Sequence, residues 1–156
     1  MLRIEFVLAA FALAACGGSS GPATRFTSTL NAANEPGSVT SSATGTAEYT
    51  VNGTTVNYTV TFSGLTAAAN NGHMHVGPAG VNGQVTVPFT VPPATSGTFT
   101  GSFTAADVRP ATGGGVSVAA GDYDGLLALM RAGNTYTNIH TSTYTGGEIR
   151  GQNDPQ

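Results

Sequence analysis

The sequence predicts an all-β protein, an antiparallel β-sandwich of Greek-key type with one short helical segment. Three observations carry this expectation. Apolar residues alternate with threonine, serine and asparagine at a period of two, the pattern of half-buried strands. Turn residues, above all the 22 glycines, interrupt that alternation, at the roughly eight- to twelve-residue spacing of sandwiches and barrels. About two dozen threonines against only 8% charged side chains favour pleated strands over helices. With 156 residues, 40% of them hydrophobic, the chain is sized for one packed domain.

The elements follow in order. Phe26, Ser28 and Leu30 alternate with threonines in a first strand that ends at Asn31, and Asn34-Glu35-Pro36-Gly37 makes a loop. Ala47, Tyr49 and Val51 share one face of the next strand. Asn52-Gly53 predicts a type I′ turn, and Val56, Tyr58, Val60 and Phe62 alternate on the return. Val85, Val87 and Phe89 form a strand that Pro92-Pro93 breaks, and Phe99 and Phe103 alternate around Gly101; both strands belong at sheet edges or corners. Thr104 and Asp107 carry a helical start signal, and residues 122–132 read as a short helix with Gly133 at its end. Residues 135–141 and 148–152 form the final strand pair. Asp122 and Asp124 suit the helix dipole.

Residues 1–15 read as a secretory leader: Arg3, an apolar stretch, then Ala14 and Ala15 directly before Cys16. Leu13-Ala14-Ala15-Cys16 resembles the bacterial lipobox, which implies that Cys16 carries the lipid and becomes the mature N-terminus. The apolar stretch is too short to span a hydrocarbon core of about 30 Å as a helix. Residues 16–24 are then a flexible tether, 25–152 the folded domain and 153–156 a tail. The expected location is the cell envelope, outside the cytoplasm, with the lipid holding the protein to a membrane. Gly17 after Cys16 favours the outer membrane where there are two. One cysteine cannot form an internal disulfide. Five arginines, no lysine and eight carboxylates leave a formal net charge of −3 with no cluster of either sign, which excludes electrostatic binding to nucleic acid. No Ser/His/Asp arrangement and no isolated carboxylate pair can be assembled, so no catalytic residue is assigned.

Two blocks stand out. The first runs Gly72-His73-Met74-His75-Val76-Gly77 and continues through Gly80 to Asn82-Gly83. The second is Tyr136-Thr137-Asn138-Ile139-His140-Thr141, followed by Gly147-Glu148-Ile149-Arg150-Gly151-Gln152. Together they resemble the CHRD domain, whose pattern is H-I-H-x-G-x-x-G-x-N-G with a Y-V-N-V-H-T…G-E-I-R-G-Q ending. Asn34-Glu35-Pro36 and Phe62-Ser63-Gly64-Leu65 are similar to further elements of that family. Met74 replaces the usual aliphatic residue, and Tyr144-Thr145 stands where Asn-Pro is frequent. The resemblance implies a β-sandwich whose bacterial members are mostly described by domain alone.

All three histidines lie in these blocks. In a pleated strand Met74 and Val76 face the core, which puts His73 and His75 together on the other side. If His140 sits across from Glu148, Asn138 faces Arg150 and Tyr136 faces Gln152, and the polar groups form a ladder. Two readings stand at this point. His73, His75 and His140 bind copper or zinc, with Glu148 or water as fourth ligand. Alternatively they join Glu148, Arg150, Gln152 and the loop of residues 77–83 in a structural hydrogen-bond network. Glu148 and Arg150, two apart on one strand, read as an ion pair. The functional expectation is a lipid-anchored binding or structural module whose histidines are its ligand-contacting group. The alternative is a copper-dependent redox enzyme distantly like Cu/Zn superoxide dismutase. Threonine-rich strand edges also offer backbone groups to a protein partner.

Overall fold

In the computed structural model, which describes residues 21–156, the period-two segments become antiparallel strands. The leader, Cys16 and the first part of the tether lie outside the described residues. The strands are β1 (Arg25–Asn31), β2 (Thr44–Asn52), β3 (Thr55–Ser63), β4 (Ala69–Val76), β5 (Val85–Pro88), β6 (Gly97–Phe103), β7 (Ala111–Gly113), β8 (Val116–Val118), β9 (Thr135–Thr141), β10 (Ile149–Gln152) and β11 (Asp154–Pro155). One helix, α1 (Tyr123–Arg131), precedes β9.

The main sheet has the order β5-β4-β9-β10-β1-β2-β3-β6, with β11 also paired to β1, while β7 and β8 form a small separate hairpin. Among the described residues the protein is all-β with one short helix, as its sequence predicts. The two layers expected of a sandwich are here two halves of one continuous sheet that curls until it nearly closes. Closure is made by side chains: Phe89, just past β5, packs on Tyr58 of β3 and Phe99 of β6 with ring centroids 4.6 and 6.0 Å apart. The outer edge of β5 is covered by Arg109, whose N–H donates to the Thr86 carbonyl at 2.9 Å.

Inward-facing residues from both halves make the core. Phe26, Leu30, Val60, Phe62, Met74, Val76, Ile139 and Ile149 are fully or almost fully buried, each worth about 1.5–3 kcal/mol of transfer free energy. Gly101 lies opposite Tyr58, and a Cβ there would strike the Tyr58 ring. The missing side chain makes room for the aromatic cluster that closes the barrel.

Local signals read from the sequence account for most ends. Asp122 caps α1 by accepting from Gly125 N at 2.9 Å, and Gly133, at φ 67°, terminates it. Thr104 donates from both N and Oγ1 to Asp107 Oδ2 over a 3-10 turn. The β2–β3 turn differs in detail from the expected type I′. Asn52 pairs with Thr55, so Gly53 and Thr54 are the central residues, and only Gly53 has positive φ. That is the pattern of a type II′ turn, which needs glycine at its first central position alone. The four residues past Gln152 are not a loose tail: Asn153 is fully buried, bonded to Thr135 and Thr137, and Asp154–Pro155 pairs with β1.

Candidate metal centre

The site lies on the outer surface of β4, β9 and β10. The registers His73↔Asn138↔Arg150↔Asn31 and His75↔Tyr136↔Gln152 run straight across the sheet, and His140 lies opposite Asn71, one diagonal step from His73. The polar ladder expected from the pleat therefore forms, with Met74, Val76, Ile139 and Ile149 on the other face in the core.

Nitrogen atoms from His73, His75 and His140 all lie within 4.8 Å of one another. His73 Nδ1 is 3.2 Å from His140 Nε2. Zinc or copper bonds of about 2.0–2.1 Å in tetrahedral geometry put neighbouring ligand atoms about 3.3 Å apart, so this pair already has the required spacing. The two more deeply buried rings are held by backbone carbonyls: His75 Nδ1 donates to Gly83 O at 2.9 Å, and His140 Nδ1 to Thr145 O at 3.0 Å. Each contact assigns the proton to Nδ1 and leaves Nε2 as a lone pair. His75 Nε2 is buried and has no hydrogen-bond partner. This is how metal-ligating histidines are commonly oriented, the second nitrogen fixed by a backbone acceptor.

The electrostatics keep the rings neutral. Burial lowers the pKa of His73 to about 4, reinforced by His140 and Arg109. His75 is also lowered to about 4, mainly by burial and against the opposing effect of Gly83 O. His140 is lowered by burial too. Neutral imidazoles are the form that accepts a metal ion.

A second layer supports the first. The Tyr136 ring is stacked on His75, with centroids 4.7 Å apart and planes 5° from parallel, while the Arg150 guanidinium lies 3.3 Å from the ring's other face. Arg150 donates to Pro78 O, Val81 O and Asn82 Oδ1, and Gln152 Nε2 to Gly77 O. Gly83 N donates to the Tyr136 hydroxyl at 3.0 Å. Residues 77–83 are thus strapped down over the sheet, and the carbonyl that orients His75 comes from the end of that strap. Gly83 must be glycine, because a Cβ there would lie 1.6 Å from Val76 O.

Glu148 is not part of this centre. Its carboxylate accepts from Ser41 Oγ, Thr66 N, Thr66 Oγ1 and Thr141 Oγ1 at 2.7–2.9 Å. Burial pushes its pKa up, and these hydrogen bonds pull it down further, leaving it lowered. The alternation of side chains begins only at Ile149, after Gly147 at φ 126°, so counting by two does not extend to Glu148. It ties loops together instead of supplying a fourth ligand, and Arg150 rests on Tyr136 rather than pairing with it. The expected structural network is present for Arg150, Gln152 and His75, whose partners are the strap carbonyls.

The sequence places Glu35 in a loop and in the family-like Asn34-Glu35-Pro36 element, with no site role. It is 8% exposed, its Oε1 has no partner, and neither has Asn138 Oδ1. Burial raises its pKa to about 7, opposed by the Arg150 charge and by the neighbouring Asn138 amide. The sequence signal was its place in the Asn34-Glu35-Pro36 element; only the folded chain sets it over β9.

Among the described residues, a curled antiparallel sheet with a strapped, histidine-bearing outer face defines one all-β unit. The family model of the CHRD domain matches residues 26–153, and the chain belongs to that family. No curated protein and no solved structure matches it significantly.

Proposed function

We propose that the protein is a lipid-anchored envelope module that binds one copper or zinc ion through His73, His75 and His140. The reading rests on one observation: His75 Nε2 is a buried lone pair with no donor, on a ring whose tautomer Gly83 O has already set. A buried acceptor without a partner is costly, and a metal ion satisfies it. The other donors fit. His140 presents Nε2, and the proton between it and His73 Nδ1 is replaced by the ion, with the His73 proton moving to Nε2. A set of three imidazoles suits copper or zinc rather than magnesium or calcium, which prefer oxygen. The leader-like residues 1–15 directly before Cys16 support placement at a membrane, where the module would hold the metal outside the cytoplasm.

The test is metal analysis and calorimetry of tag-free protein loaded with copper or zinc. The expected result is one equivalent bound, lost in His75→Ala and His140→Ala, with the apo variants checked for folding by circular dichroism. Metal at 100 times Kd should raise unfolding free energy by about 2.7 kcal/mol. Absence of stoichiometric metal, or equal binding by both variants, overturns the reading. Assay of the copper-loaded protein for superoxide turnover separates a binding module, expected to be inactive, from a redox enzyme. Mass spectrometry of the native protein tests the lipid on Cys16.

A further inference from the structure

A tetrahedral metal centre takes four ligands, and the histidine cluster supplies three. Among the described residues no carboxylate or thiol joins it, and Glu148 is committed to Ser41, Thr66 and Thr141. The remaining position has a direction. His75 and His140 are buried, held by carbonyls of the strap and of the loop at Thr145. His73 is half-buried, as is Pro88 across from it on β5, and Asn71, opposite His140, is exposed. The cluster is therefore closed towards the strap and open on the side of Asn71, His73 and Pro88.

The charges that act on the rings are of one sign. Arg109 acts on His73 and Arg150 on His75, with no carboxylate of the described residues beside them. Glu35 offsets part of the Arg150 charge. Arg109 is exposed and stands at the open side: its N–H is bonded to Thr86 O on β5, and it lines one small hollow with Pro88. Asp107, in the same hollow, is turned to Thr104, with its Oδ2 accepting from Thr104 N and Oγ1. A divalent ion on three neutral imidazoles adds its full charge to this setting with no anionic ligand to balance it. An incoming anion is attracted by both the ion and the guanidinium, and a cation is repelled by both.

We infer that the fourth coordination position of the three-histidine centre is a site for a small anion, entered from the side of His73 and favoured by Arg109. This rests on the metal reading above and adds to it the class of ligand that the centre accepts. Binding is an exchange: the anion gives a lone pair to the ion, and the water it displaces leaves to solvent.

The experiment loads tag-free protein with one equivalent of Cu(II) and titrates it with azide, followed by the azide-to-copper charge-transfer absorption. Imidazole, followed by the copper ligand-field band, is the neutral probe. Azide should saturate at one per copper with Kd about 10 mM or tighter. Arg109→Ala should weaken azide about threefold and reduce the salt dependence of its binding, Arg109→Lys should restore both, and neither should alter imidazole affinity. Melting and copper uptake should be retained in both variants, because Arg109 is exposed and is not one of the ligands. Failure of the parent protein to take up copper overturns the metal reading and this inference with it. Copper uptake without saturable azide, azide affinity unchanged in Arg109→Ala, or equal loss of azide and imidazole in that variant overturns this inference alone.

Discussion

The outer surface of the curled sheet has two halves built from the same alternating pattern. On β2, β3 and β6 it is a field of exposed polar side chains, mostly hydroxyls: Thr46, Thr61 and Thr98 form one row, and Glu48, Thr59 and Thr100 the next. On β4, β9 and β10 the same parity brings out His73, His75, Tyr136, Asn138, His140, Arg150 and Gln152. Here Asn71 is exposed and His73 and Gln152 are half-buried, while every residue of β9 is buried. The threonine half is covered by water and needs no partners. The histidine half is covered by residues 77–83 and the loops around Glu35 and Thr145, so each polar group must find a partner in protein or ligand. A pleat places side chains, and what lies above them decides whether they become chemistry.

Arg150→Ala should show the contrast most strongly. It strips donors from Pro78 O, Val81 O and Asn82 and uncovers Tyr136, at a cost of about 3 kcal/mol or more in urea unfolding. Thr59→Ala on the other half should stay within about 0.5 kcal/mol. Equal effects would erase the distinction between the two faces.

Acidification comes next. In the unfolded chain the histidines bind protons below about pH 6.5, but in the folded protein His73 and His75 resist protonation until about 4. The unfolded state therefore takes up more protons in that window, and stability falls as pH drops from about 6.5 to 4. The loss is on the order of 2 kcal/mol, weighted towards the more buried His75 because His73 is partly exposed. His75→Gln should flatten the slope in pH-dependent denaturation. Glu35 acts with the opposite sign: its folded pKa is raised from 4.5 to about 7, so its contribution is complete below 4.5 and is lost as pH rises through 7. Glu35→Gln should be more stable than the parent at pH 8 and no more stable at pH 4.

Tyr136→Phe keeps the stack between His75 and Arg150 but removes the hydroxyl that accepts from Gly83 N. Stability should fall by about 1 kcal/mol, and metal affinity by about tenfold through the loosened Gly83 carbonyl. The smallest effect belongs to Thr61→Val, which removes the exposed hydroxyl pair with Thr98. A change below about 0.5 kcal/mol in thermal unfolding, with metal binding intact, is expected.

Much of this architecture was legible in the chain itself. Period-two alternation located β1, β2, β3, β9 and β10, and the Asn138–Arg150 and Tyr136–Gln152 pairings followed from the pleat of the last hairpin. The same reasoning grouped the three histidines. It stopped at Glu148, where the residue stands before regular pairing begins, and at the β2–β3 turn, where register moved the turn by one residue.

The sequence by itself determined the strands, the inward and outward parity of their side chains, and the family, because these depend on local backbone geometry and neighbouring residues. Tertiary structure alone decided that one sheet curls to near closure, that Glu35 settles over Asn138, and that residues 77–83 fold back to orient His75. Those outcomes depend on which distant segments cover which surface. Coverage sets burial, and burial decides whether a histidine or a carboxylate keeps its ordinary proton.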